Sequence, residues 1–98
     1  MLDEIYLKLL KNPQNGLNID IHFQNGNNVN ILFIDNLYHI FSTNGIVMLD
    51  HWYSRRLLNI KKRLEKLYNE FGESGAVITK INNDVLASYY QIKEQVGV

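Results

Sequence analysis

The chain has 98 residues, 46% of them hydrophobic, and ten basic side chains balance ten acidic ones. A chain of this size buries one modest core, its apolar content excludes a disordered chain, and the lack of cysteine excludes disulfides and thiolate metal sites. No basic leader opens the chain and no stretch reaches the ~18 apolar residues of a membrane span, so one domain over 1–98, without membrane contact and in the cytoplasm, is expected.

Leu2, Ile5, Tyr6, Leu9 and Leu10 recur at helical spacing, Asp3 suits the start of that helix, and Asn12-Pro13 ends it. Leu17, Ile19, Ile21 and Phe23 alternate with Asn18, Asp20 and His22, the pattern of a strand with one buried face. Gln24-Asn25-Gly26-Asn27 supplies a turn, and a second strand carries Val29, Ile31 and Phe33 on one face against Asn30, Leu32 and Ile34 on the other. Asp35-Asn36 turns the chain into a third strand in which Leu37, His39 and Phe41 alternate with Tyr38 and Ile40. After Ser42-Thr43-Asn44-Gly45, residues Ile46 to Leu49 read as a short fourth strand or a lead-in to a helix.

Tyr53, Leu57, Ile60, Leu64, Leu67 and Phe71 keep spacings of 4, 3, 4, 3 and 4, which predicts one long helix over 50–71 with Asp50 as its N-cap and Gly72 as its stop. Ala76 to Ile81 then reads as a short strand. Asn82-Asn83-Asp84 opens a last helix with Val85, Tyr89, Ile92 and Val96 on one face. The expected fold is α+β: a short N-terminal helix, a three- to four-stranded antiparallel meander, the long amphipathic helix, a short strand and a C-terminal helix. The middle strands place Leu32, Ile34, Tyr38 and Ile40 on a second face, which calls for the first or last helix, a partner protein or a second copy of the chain as its cover.

Six of the ten lysines and arginines lie between Arg55 and Lys66, interrupted only by Glu65. Segment 51–66 carries a net charge of +5, against −3 before it and −2 after it. On the expected helix Arg55, Lys62, Arg63 and Lys66 face away from the apolar stripe, and Arg56 and Trp52 flank that basic side. Trp52, Arg55, Arg56, Lys62, Arg63 and Lys66 are therefore the candidate surface for phosphates or an acidic protein groove, with a plain solvated helix face as the alternative.

Other chemistry is thinly represented. His22, His39 and His51 are the three histidines, and Asp20, His22 and His39 form the one geometric option for a His-His-Asp metal set, against the more ordinary reading of isolated surface histidines. No serine lies in a GxSxG elbow and no glycine-rich phosphate loop occurs. Asp50 and His51 adjoin but diverge on a helix. No catalytic residue, no cofactor and no metal are assigned, and a non-enzyme is expected.

Two resemblances follow. The order helix, three strands, helix over residues 2–71 resembles the double-stranded-RNA-binding domain, which implies lysines of the last helix lying on phosphates. Ser42-Thr43-Asn44-Gly45 ahead of a helix ending in Phe71-Gly72, then a short strand and Asp84-Val85-Leu86-Ala87 opening a last helix, is similar to small prophage domains and, in element order over 29–96, to compact phage inhibitors of CRISPR nucleases. Thirteen asparagines, whose codons are AT-rich, fit a low-GC Gram-positive bacterium or its phage. The expectation is a non-enzymatic phage or mobile-element binding protein that occludes a host macromolecule, foremost a CRISPR-type nuclease with its guide RNA. The alternatives are a nucleic-acid-binding regulator that uses the basic helix, and a small enzyme or ligand-binding domain. A host protein, a nucleic acid and a homodimer are the partners these readings imply.

Overall fold

A computed structural model describes residues 4–45, 47–72, 74–81, 87 and 91. Helix α1 (Glu4–Lys11) is followed by strands β1 (Leu17–Phe23), β2 (Asn28–Ile34), β3 (Leu37–Thr43) and β4 (Met48–Ser54), then helix α2 (Leu57–Phe71) and strand β5 (Ser74–Ile81). The sheet order is β4-β3-β2-β1-β5, and every neighbouring pair is antiparallel. The fold is thus α+β, with a four-stranded meander extended by β5 on the far side of β1. No helix among the described residues is long and apolar enough to cross a membrane.

The turns follow from their residues. Asp35 and Asn36 take φ values of 55° and 63°, the paired positive angles of a two-residue hairpin, where the short polar side chains tolerate the left-handed region. At the β1–β2 turn Gly26 sits at φ 90°, its N–H donates to the Phe23 carbonyl, and the Asn25 side chain accepts from the N–H of Asn27.

The alternation read in β1 to β3 places one face of the sheet against the helices. Leu17, Ile19, Ile21, Phe23, Val29, Ile31, Tyr38 and Ile40 meet Ile60, Leu64, Leu67 and Tyr68 of α2 and Leu10 of α1 in one core. Phe23 packs edge-on to Tyr68 and Phe71, with ring centroids 5.2 and 5.3 Å away. The Tyr38 hydroxyl donates to the Leu10 carbonyl at 2.5 Å, which supplies a donor to a C-terminal carbonyl of α1 and ties that helix to β3. Burial pushes the Tyr38 phenol above its ordinary pKa, so the donating proton stays in place at neutral pH.

Three expectations are corrected. The helix starts at Leu57 rather than near Asp50, because 48–54 pair with β3 as a full strand; Asp50 is no N-cap but faces α2, ion-paired to Arg63. Tyr38 and Ile40 belong to the helix-covered face, since Phe33 pairs with Tyr38 and Ile31 with Ile40; residues directly opposite in a sheet share a face. The order helix, three strands, helix is not kept, because β4 stands between β3 and α2. Residues 82–98 of the expected last helix lie outside the described residues, except Ala87 and Gln91, which are helical.

Candidate functional site

The basic residues do not form one stripe. Trp52 lies on β4 opposite Ile40, on the core side of the sheet, half-buried against the apolar cluster, so it does not flank a basic face as expected. Arg55 and Arg56 are exposed in the link between β4 and α2. Lys61, Lys62 and Lys66 are exposed on α2, and at ~100° per residue Lys62 and Lys66 stand nearly opposite the buried Leu64. Arg63 is half-buried and engaged by Asp50, a structural pair that anchors α2 to the edge strand.

What the fold does assemble is the entry to α2. Leu37, Tyr53, Ser54, Arg55, Arg56 and Asn59 surround an open cavity of about 430 Å³. Ser54 organises it: its hydroxyl accepts from the Arg56 N–H and from the Asn59 side-chain amide, each at 3.1 Å. Arg56 itself occupies the N-cap position in extended conformation, φ −103° and ψ 124°, with no side-chain cap. The first turn of α2 carries no acid and its last turn no base. Arginine at the positive end of the helix dipole is the arrangement that disfavours stability, by about 0.3–1 kcal/mol per misplaced charge.

Tyr53 keeps helical spacing with Leu57, which places it on the apolar stripe of the expected helix, near one end of the basic surface. On β4 it points to the outer face of the sheet and is 62% exposed. The same face gathers His39, Phe41 and His51. Phe41 and His51 lie 4.4 Å apart with rings inclined by 8°, and Tyr53 stands about 6 Å from both imidazoles. The signal was available in the sequence as the alternation of Leu37, His39 and Phe41, but the strand character of 48–54 was needed to bring His51 and Tyr53 beside them.

His39 Nδ1 and His51 Nε2 share a hydrogen bond of 3.2 Å, one ring donating and the other accepting. Two neutral rings, or one neutral and one protonated, can make that bond; two cations cannot. Burial, and then the charge of His51, hold the His39 pKa below its ordinary value. The neutral form is therefore favoured by folding. Its stabilisation is complete above about pH 6.5, the unfolded value, and is lost as pH falls from there through the lowered folded value. The urea midpoint of the protein should fall on acidification across that window, and fall less in His39→Asn; an identical drop in both chains would remove His39 as the cause.

The His-His-Asp set does not assemble. His22 donates to Asn28 at 2.7 Å, His39 turns to His51, and among the described residues no three His, Asp or Glu side chains are grouped to hold a metal ion. Asp20 instead accepts from Asn30 at 2.5 Å. No protein-family model, curated protein or solved structure matches this chain.

Proposed function

We propose that this chain is a non-enzymatic binding domain that takes an anionic partner, the phosphate backbone of a nucleic acid, on the Tyr53–Arg55–Arg56 entry to α2. One observation carries the reading. Two exposed arginines crowd the N-terminal end of a helix whose first turn has no acid, beside an exposed tyrosine, which works against stability and favours an incoming negative charge. Arginine matches phosphate with a planar pair of donors, and a tyrosine ring offers a base a stacking surface.

The test is fluorescence anisotropy with labelled duplex and single-stranded oligonucleotides at several salt concentrations. Binding should weaken with salt at a logarithmic slope of about −0.9 per duplex phosphate contact. Arg55→Glu with Arg56→Glu should abolish binding at moderate salt, while Lys62→Gln, on the side of α2 turned away from the sheet, should leave the slope nearly unchanged. No binding at low salt to either form sinks the reading.

A second reading rests on the run Val47, Met48 and Leu49, which are 60%, 56% and 48% exposed and lie at the start of β4, the end away from Arg55 and Arg56. An apolar strip and a basic end at the two ends of one edge strand suit a protein that itself carries nucleic acid, such as a CRISPR-type nuclease with its guide RNA, and the resemblance to phage inhibitors points the same way. Purified nuclease–guide complexes should then lose cleavage at stoichiometric protein; unchanged cleavage across several effector types would exclude this role.

A further inference from the structure

Among the described residues, strand β4 is an edge of the sheet. It has β3 on one side and, among the described residues, no strand on the other, so every second residue turns its N–H and C=O outward. Natural edges are blunted by lysine, proline or an inward charge. Between Val47 and Ser54 there is no lysine, arginine or proline; the protection the strand does carry is one inward charge, Asp50, held by Arg63, and an irregularity beside Met48. β5, the other edge, carries Lys80 in its sequence. The register of β4 is continuous from Asp50 to Ser54 and shifts only near Met48.

We propose that β4 pairs with β4 of a second copy of this chain, antiparallel and centred on Trp52, joining two five-stranded sheets into one. The strand is complementary to itself in that register. On the outer face His51 of each copy comes opposite Tyr53 of the other, which carries the Phe41–His51 stack straight into the second copy's Tyr53 and His39. On the helix face Asp50 comes opposite Ser54, and the tryptophans meet at the two-fold axis. Arg55 and Arg56 lie just beyond the Ser54 end, so antiparallel pairing sets them at the start of the other copy's strand, where Asp50 is already held by its own Arg63. The pairing also brings Arg55 and Arg56, whose aliphatic stems tolerate apolar neighbours, beside the second copy's exposed Met48 and Leu49. Those two residues and Tyr53 are the exposed apolar side chains of β4, and the pairing covers all three. The inference does not rest on nucleic-acid binding, which a monomer could perform, but it uses Tyr53, Arg55 and Arg56 too, so the second copy and the nucleic acid would compete for them.

Sedimentation equilibrium on the full chain, from micromolar to millimolar loading, tests it. The expected mass is twice the 11.5 kDa of the chain, falling to one chain on dilution. Leu49→Lys and Leu49→Glu separate the register from mere edge exposure. Beside the second copy's arginines the lysine should raise the dissociation constant about tenfold and the glutamate should lower it. A chain without cysteine allows a second measurement that does not depend on the first. His51→Cys mixed with Tyr53→Cys should form a mixed disulfide dimer on mild oxidation, faster than either variant with itself. A monomer at all loadings overturns the proposal. So does a dimer indifferent to both Leu49 variants and yielding no mixed disulfide, or a chain whose β4 is protected only by a different protein. Loss of the dimer with oligonucleotide binding intact would leave the anionic-partner reading standing.

Discussion

Leu64→Ala is expected to cost the fold about 2–5 kcal/mol, a large share of the roughly 5–15 kcal/mol that holds a domain of this kind together. Leu64 is fully buried at the middle of α2, between Ile60 and Leu67, and faces the β1–β3 side of the sheet. Removing three methyl or methylene-sized groups there forfeits their transfer energy and leaves a cavity that a sheet on one side and a helix on the other cannot close. Leu58→Ala supplies the comparison: the same deletion on the same helix, at a residue 61% exposed, should shift stability by no more than about 0.5 kcal/mol. Urea unfolding with unchanged m-values would measure both. Equal costs would mean that α2 is not seated on its Leu57–Ile60–Leu64–Leu67 stripe.

The second large effect belongs to a polar knot on the outer face. Asn30 donates to Asn18 and to the Asp20 carboxylate, and Asn18 is only 7% exposed. Asn30→Ala removes the shared donor and leaves the Asn18 oxygen buried without it, at an expected cost of about 1–3 kcal/mol. Asn30→Asp should cost more at neutral pH, because it sets a second carboxylate against Asp20. The introduced group would bind its proton more tightly in the folded state, so that stability should recover as pH falls below its raised folded pKa. A variant insensitive to acid would show that the knot is open to water.

The contrast between these residues and the start of α2 shows what could be read from the sequence. β1 is legible because Leu17 to Phe23 alternate strictly, and β2 and β3 because two turns with positive φ bracket them. The boundary near residue 50 was not legible, for three physical reasons. Tyr53 stands four residues before Leu57, so a strand residue continues a helical period by coincidence. Asp50 is a good cap in isolation, and its partner Arg63 is found only once β4 and α2 are packed. The true start, Ser54-Arg55-Arg56, lacks the acid or proline that normally marks a first turn. The basic cluster itself was legible as charge, but its division was not. Folding spends Arg63 on a structural pair, turns Trp52 inward, and delivers Arg55 and Arg56 to a tyrosine on the outer face of a strand.

The strand order carries a consequence for how the molecule assembles. β1 to β4 close one after another across short turns, each costing little loop entropy. β5 is different: Ile21 pairs with Val77 and Leu17 with Ile81, so the last strand returns across the whole meander and the helix between them. Contacts of such long sequence separation form late. Until β5 arrives, β1 is itself a raw border of the sheet, and the half-made chain exposes two sticky margins rather than one. The native protein should therefore open from the β5 side. Its amides there should exchange with solvent faster than those of β2, and equal protection of the two strands would reject that order of events.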